Sequence, residues 1–409
     1  MHKRSKLLFV FWEGYLDVAP TLIGLIRFLS AKNMEIDLLI SNRGDSEITG
    51  SFDQHLVRVV KLDPDGFFNR SISRIVNNAV AWKFFPGWVK KVNDGLLGKA
   101  LDRFAALAAT NASKYDTAYC VDATGLYVFK KSGIRAEKVI NISLEVLDLE
   151  HGEHGPTIQK VKQLEKEMLT EEVKQVIIQD QYRADVLTRT VGTPIDKFIF
   201  LPNSVEKGDG KQVKLGFFHE KFNLPRETKI VLSAGMIGEA VSSLEIGRAV
   251  GNWKPRYPVK IVFHERLAGN TSTPYLDNIR RAGKGHLLLS LQPLPYDQLG
   301  KLFSSADIGL AIYNEGYGDN FGVIGSASGK LFQYIKHGLP VIVSDLPGLG
   351  ELVRDYDMGL VVKSTDEIPT AIEKIFADYK RYSDNASKAF HEDLNMDVLL
   401  EKAYAGIAI

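Results

Sequence analysis

The chain has 409 residues, 45% of them hydrophobic and 25% charged, with 51 lysines and arginines against 50 aspartates and glutamates. That length exceeds one comfortable core, so two domains are expected, and the composition excludes a disordered or fibrous chain. The charge balance gives no global attraction to nucleic acid, which is not expected as a partner, and the single cysteine, Cys120, excludes an internal disulfide and suits a reducing cytoplasm.

The opening MHKRSKLLFVFWEGY has a basic flank, but its apolar run from Leu7 to Trp12 ends at Glu13 without a small-residue cleavage site, so a buried strand is expected there. A helix from about Ala19 to Ala31 and the runs EIDLLIS, DTAYCV and KVINISL continue the alternation, which predicts βαβ units around a mostly parallel sheet. Between Gly66 and Asn93 stand Arg70, Arg74, Lys83, Lys90 and Lys91 with no acid, among Phe67, Phe68, Trp82, Phe84, Phe85 and Trp88. This composition suits either peripheral contact with an anionic membrane face or an aromatic helix packed into the domain. No run reaches the roughly 18 apolar residues of a membrane-spanning helix.

A helix through VKQLEKEMLTEEV, the strand QVIIQ, a helix near Tyr182 to Thr190 and the run FIFLPNS complete the first half. Pro202, Asn203 and Gly208 to Gly210 break the pattern, so a first domain is drawn at 1–205. The runs KIVLSAG, VKIVFHE, HLLLSL, DIGLAIY and LPVIVSD, with a helix from about Leu244 to Val250, restart the same rhythm over 206–390, and 391–409 reads as a C-terminal helix returning to the first domain. The expected fold class is α/β: two doubly wound Rossmann-like domains facing across a cleft, with ligands at the carboxyl ends of the strands.

The stretch from Asp307 to Asp345 gives a strand, a glycine-rich loop, a helix and another strand. Gly316, Gly318, Gly322, Gly325 and Gly329 allow a ligand close to the backbone, and Ser326 or Ser328 is expected to cap a helix whose apolar face is Leu331, Phe332, Tyr334 and Ile335. Gly338 and Pro340 stop it. A helix start with Lys330 in its first turn attracts phosphate, and a diphosphate fits best. A flexible connection followed by an ordinary cap would read the same way. The spacing matches neither a P-loop nor a dinucleotide-binding GxGxxG after the first strand.

This stretch resembles the donor-binding region of GT-B glycosyltransferases, especially glycosyltransferase family 4 and its relatives. LPNSVE at Leu201 to Glu206 is similar to the interdomain PNGVD of that family, VLSAGMIG to its first second-domain strand and glycine turn, and LQPLPYDQLGKLFSSADIGLAIY to its base-binding loop, helix and strand. The resemblance implies transfer of a hexose, with retention, from a UDP- or GDP-linked sugar to a saccharide or lipid-linked acceptor in polysaccharide or glycoconjugate synthesis. It implies no separate cofactor, and the diphosphate on Ser326, Ala327, Ser328 and Gly329. The family's glutamate pair, however, meets Gly325 and Gln333, and its basic pair meets Met236 and GEAVSS. Gln333 is then expected on a ribose, and Lys330 or Arg266 as the substitute cation.

Other candidate donor contacts are Gly235, His264 and Arg266 at strand ends, Asn314 and Glu315 after Tyr313, and Tyr296 stacking on the base in the loop Leu291 to Tyr296. In the first domain, Glu13, Gly14, Tyr15 and Asp17 are expected to meet the acceptor. The run SLEVLDLEHGEHG offers Glu145, Asp148, His151, Glu153 and His154. Glu145 and Lys330 are the expected catalytic residues: Lys330 supports the leaving group, and Glu145, Asp148 or Asp17 serves as base if the reaction inverts. No metal is assigned, since His151 and His154 lack a third placed ligand. Two further readings stay open: a nucleotide-sugar epimerase or hydrolase, and a silent nucleotide-sugar-binding subunit. The expected location is the cytoplasm, at the membrane face if the basic aromatic patch docks there.

Overall fold

The structure is a computed structural model, and it describes residues 4–43, 47–66, 86–111, 113–146, 154–208, 214–266 and 273–407. The chain divides into two compact units, Met1–Leu201 with Lys402–Ile409, and Pro202–Glu401. The division precedes the expected one after residue 205, because the linking segment is bonded into the second unit: the Ser204 hydroxyl donates to the Leu394 carbonyl, and Met396 N donates to Val205 O at 2.9 Å. Residues 391–401 likewise stay with the second unit, where Phe390 and Leu394 are buried in its core and Asn395 Oδ1 accepts from Val398 N at 3.1 Å. The final residues belong to the first unit, with Tyr404 edge-on to Phe28 at 5.2 Å and Gly406 O accepting from Gln175 Nε2 at 2.7 Å.

The first unit holds seven strands: β1 Lys6–Phe11, β2 Glu35–Ser41, β3 Val57–Leu62, β4 Lys114–Val121, β5 Arg135–Ile142, β6 Gln175–Ile178 and β7 Phe198–Phe200. Its helices among the described residues are α1 Pro20–Ala31, α2 Pro86–Ala109, α3 Asp122–Ser132, α4 Pro156–Glu171 and α5 Gln181–Val191. The strands pair in parallel in the order β3-β2-β1-β4-β5-β6-β7. Helices on both faces leave no wet side, so β1 is apolar from Leu7 to Phe11 and fully buried there. Edge strand β3 escapes the apolar-run criterion because Arg58 and Lys61 interrupt it. Arg58 is nonetheless tied to the sheet, donating to Asp37 Oδ1 and Oδ2 at 2.7 and 2.8 Å. Of the basic aromatic stretch, residues 67–85 lie outside the described residues; Lys90 and Lys91 are exposed on α2.

The second unit has six strands: β8 Lys229–Gly235, β9 Val259–Glu265, β10 Leu287–Ser290, β11 Ile308–Ala311, β12 Val341–Ser344 and β13 Gly359–Val362. Its helices of two turns or more are α6 Ser243–Gly251, α7 Pro274–Gly283, α8 Gly329–Lys336, α9 Ile368–Ala377, α10 Tyr379–Ala389 and α11 Met396–Tyr404. The strands run in parallel as β10-β9-β8-β11-β12-β13. Each sheet thus reverses its strand order once, at β1/β4 and at β8/β11, and such reversals open a crevice at the strand ends. Tyr334 docks α8 at the second of these. Its ring rests on Gly309, where an added Cβ would lie 2.3 Å from ring carbons, and its buried hydroxyl accepts from Ala234 N at 2.9 Å while donating to Leu310 O at 3.2 Å.

Candidate functional site

The start of α8 is built from two sides. Leu331, Phe332, Tyr334 and Ile335 are buried as the periodicity requires, which leaves Lys330 and Gln333, one turn apart, on the other face. No side chain among the described residues caps the helix. Ser326 or Ser328 was expected as the cap. Ser328 instead shares a hydrogen bond with the Tyr313 hydroxyl at 2.7 Å, and Ser326 lies within a short 3-10 turn, Gly325–Ala327. At this start the Ala327, Ser328 and Leu331 N–H groups donate to Ile324 O, Gly325 O and Ser328 O at 2.7, 3.3 and 2.9 Å, so the amides it offers an anion are those of Gly329 and Lys330. From below, Asn203 takes the turn's carbonyls: its N–H donates to Ser326 O at 2.8 Å and its side-chain amide to Ala327 O at 3.1 Å. Gly329 permits this approach, since a Cβ there would stand 3.2 Å from Asn203 Nδ2.

Lys330 Nζ lies 4.3 Å from the centroid of the Tyr313 ring. Burial, and then the charge of Arg266, push its ammonium down from 10.5 to about 7. Arg266 is exposed at the end of β9, and its N–H donates to Gly235 O at 3.1 Å. Two cations that repel one another beside an uncapped helix start make a site that an anion relieves. The glycine turn after β8 brings no base. It is held down by Glu265, which accepts from Ile237 N at 3.3 Å, and by Ala240 O, which accepts from Asn314 N at 3.0 Å.

The other donor candidates divide. Asn314 turns inward on its own loop, accepting from Gly316 N at 3.0 Å, and with the exposed Glu315 it lines a cleft of about 320 Å³ shared with Ser344, Asp345 and Lys363. His264 faces the interior, with Nδ1 2.9 Å from Ser290 Oγ, and burial followed by the charge of Lys221 lowers it to about 4, so it is neutral at neutral pH. Tyr296 is half-buried in a short turn after Pro295.

In the first unit, Glu13 follows β1 and is drawn down between strand ends. Its Oε1 accepts from Thr124 Oγ1 at 2.9 Å, and its Oε2 is buried with no partner among the described residues. Burial is the main cause that raises Glu13 from 4.5 to about 7; Glu145 adds to it, while Thr124 and Arg43 oppose. Asp122, at the end of β4, has the left-handed φ of +55°, and its Oδ1 accepts from Leu144 N and Glu145 N at 2.7 and 2.9 Å. Burial and the neighbouring Glu13 push Asp122 well above the ordinary carboxylate range. Fully buried Arg183 donates to Leu144 O at 2.9 Å. Glu145 is exposed beside this group, as are Tyr15 and Asp17 on their turn. Gly14 is required: its φ is +77°, and a Cβ would fall 2.4 Å from Ser41 O.

The structure therefore groups Glu13 with Glu145, and Lys330 with Ser328 and Arg266. Asp148, His151 and Glu153 lie outside the described residues. Asp122, Thr124, Arg183 and Tyr313 are the site members that residue reading passed over. The one local signal was an aspartate directly after the buried run TAYCV. Among the described residues no cluster of three or more His, Cys, Asp or Glu could hold a metal, and no helix is long and apolar enough to cross a membrane.

The sequence matches the family model described as Glucosyltransferase 3-like, C-terminal domain, over residues 293–405. No curated protein matches it. Among solved structures, it is similar to HepE from Anabaena in complex with UDP and glucose, with a TM-score of 0.67 at 13% identity, covering 98% of this chain and 99% of that one. A glycosyltransferase from Rickettsia africae gives 0.66 at 12% identity, covering 99% and 98%. Sucrose-phosphate synthase from Thermosynechococcus elongatus gives 0.65 at 15%, covering 99% and 98%. The chain has the GT-B fold of these glycosyltransferases. The likeness spans both units.

Proposed function

We propose that this protein transfers a hexose from a UDP- or GDP-linked sugar, bound by the second unit, to a saccharide or lipid-linked acceptor bound by the first, in the synthesis of a cell-surface polysaccharide or glycoconjugate. The observation that carries the reading is the uncapped start of α8 beside Lys330 and Arg266, which suits a diphosphate in both shape and charge. The similarity to a structure described with UDP and glucose supports the donor class. In this reading the turn Ser326 to Gly329 holds the diphosphate chiefly through the Gly329 amide, since Ala327 N and Ser328 N already donate to Ile324 O and Gly325 O, Lys330 meets the charge that develops as it leaves, and Gln333 reaches the ribose. The resemblance to family 4 supports retention; a carboxylate base in the first unit would instead bring inversion. A panel of nucleotide sugars tested by calorimetry, followed by transfer assays, tests the whole: no binding of any nucleotide or nucleotide sugar sinks it.

The glycine at 325 and the amide at 333, where the family pattern has glutamates, favour a second reading as a silent binding subunit. That reading predicts binding without turnover under any acceptor. An epimerase or hydrolase would instead consume donor without one. Exposed Lys90 and Lys91 on α2 support contact with an anionic membrane face, and liposome sedimentation unchanged by their replacement would remove it.

A further inference from the structure

Strand β13, Gly359–Val362, ends the second sheet, and no further strand among the described residues lies on its outer side. In its parallel ladder with β12, Val341 N donates to Met358 O at 3.1 Å and Asp345 N to Val362 O at 3.0 Å, with Val341 paired to Gly359. Alternate residues of such a strand face the ladder, so Leu360 and Val362 spend their main-chain groups on β12, and those of Gly359 and Val361 point away from it. Beyond them runs a groove of about 590 Å³ lined by Gly359, Leu360, Val361 and Lys363. Exposed edges invite pairing, and charged side chains discourage it. Edge strand β3 of the first sheet exposes Arg58 and Lys61, whereas GLVV in β13 carries no charge.

The charges that flank β13 are opposite in sign and evenly spaced. Asp357 stands three residues before Leu360 and Lys363 three after it, both exposed. Asp357 accepts from Asn385 Nδ2 at 3.1 Å and lies 3.4 Å from Arg381 Nε, while Lys363 forms no ion pair among the described residues. A two-fold axis through Leu360 lays β13 antiparallel on a second copy of itself, with Gly359 opposite Val361 and Asp357 opposite Lys363, each twice. The outward groups of Gly359 and Val361 then form the hydrogen-bonded pairs, and Leu360 meets its own copy as a non-hydrogen-bonded pair. A slip of one residue would set groups that face β12 against groups that face outward, and a slip of two would part Asp357 from Lys363. The other charges of the groove, Asp345, Arg354 and Glu367, are of both signs, as a surface that meets itself requires.

We propose that the protein forms a two-fold dimer through β13, joining the sheets of two second units edge to edge. Asp345 and Lys363 line both this groove and the cleft that holds Asn314 and Glu315, so the partner's Asp357 comes to the rim of that cleft. The pairing stands apart from sugar transfer and does not depend on it.

Sedimentation equilibrium of the full chain should give twice the mass of one chain. Val361→Pro removes an outward N–H at a position where an edge strand tolerates proline, and should leave a monomer. Lys363→Glu places like charges opposite one another and should raise the dissociation constant by roughly tenfold or more, with the larger change at low salt; it decides the matter if the proline variant fails to fold. Leu360→Cys should cross-link to its own copy on mild oxidation, since the Cα atoms of a non-hydrogen-bonded pair lie about 4.5 Å apart, within disulfide reach. The native Cys120 is buried and does not compete. The copies of Lys363→Cys would lie about 20 Å apart along the paired strands and should not cross-link. A monomeric wild type, a dimer unmoved by both Val361→Pro and Lys363→Glu, or a cross-link in Lys363→Cys with none in Leu360→Cys overturns this dimer.

Discussion

The two sheets reverse strand order at equivalent points, yet the groups collected there are opposite in charge. At β1/β4 the strand ends gather Glu13, Asp122 and Glu145, whereas at β8/β11 the loops bring Lys330 and Arg266 to an uncapped helix start. Burial acts on both in the same sense, disfavouring the charged form, so it raises Glu13 and Asp122 and lowers the ammonium of Lys330. The topology decides where a ligand can enter; the side chains decide what it is. In the proposed function an anion belongs at the second crevice and the acceptor at the first.

If the two crevices act separately, a change at one should leave the other alone. The largest effect is expected of Gly14→Ala, which forces a side chain into a left-handed turn 2.4 Å from the Ser41 carbonyl: a loss of about 3 kcal/mol in urea unfolding. Nucleoside diphosphate affinity per folded molecule should not change, and a parallel drop would break the comparison. Next, the raised pKa of Glu13 means that its contribution to stability is complete below 4.5 and lost as pH rises through about 7. Glu13→Gln should therefore match wild type at pH 4 and exceed it by about 2 kcal/mol at pH 8, on the scale of a buried carboxylate relieved of its charge. A lower stability at both pH values would show that the carboxylate is structurally needed.

Lys330→Ala should weaken nucleoside diphosphate binding by about 1.5 kcal/mol in calorimetry, the size of one charged hydrogen bond. Because Lys330 is held near 7 and must be charged to meet a diphosphate, affinity should decline as pH rises above that value, and wild type at pH 8 should take up a proton on binding. Heats measured in two buffers of different ionisation enthalpy would report that uptake, which should be absent in Lys330→Ala. The smallest effect is expected of Tyr313→Phe. Ser328, released from the phenol, becomes free to cap α8 in competition with the anion, and affinity should fall by roughly threefold. An unchanged affinity would mean that Ser328 does not compete for those amides.

Much of the fold was legible because it is written in local pattern. Runs such as KLLFVF and KIVLSAG became buried parallel strands, and Leu331, Phe332, Tyr334 and Ile335 became the inner face of α8. Edge strand β3 was not legible, since its arginine makes sense only through Asp37 on the neighbouring strand. The second site was half legible: its loop, helix and lysine could be read, but the use of Ser328 could not, because its partner Tyr313 arrives from the preceding strand. In the first site Thr124 meets Glu13 across 111 residues of sequence, and no local periodicity reports that pairing.

By itself, then, the sequence determined an α/β chain with two parallel sheets, a glycine-rich loop leading into a helix at the second, and an acid closing the first strand. Only the tertiary structure decided that Glu13 is buried with one oxygen lacking a partner among the described residues and that Asp122 lies close enough to feel its charge. It likewise decided that Lys330 lies over Tyr313 under the charge of Arg266, and that Asn203 holds the turn ahead of α8. The physical reason is that helix and strand follow from neighbours a few residues away, whereas a proton affinity follows from solvent exclusion and from charges brought close by folding.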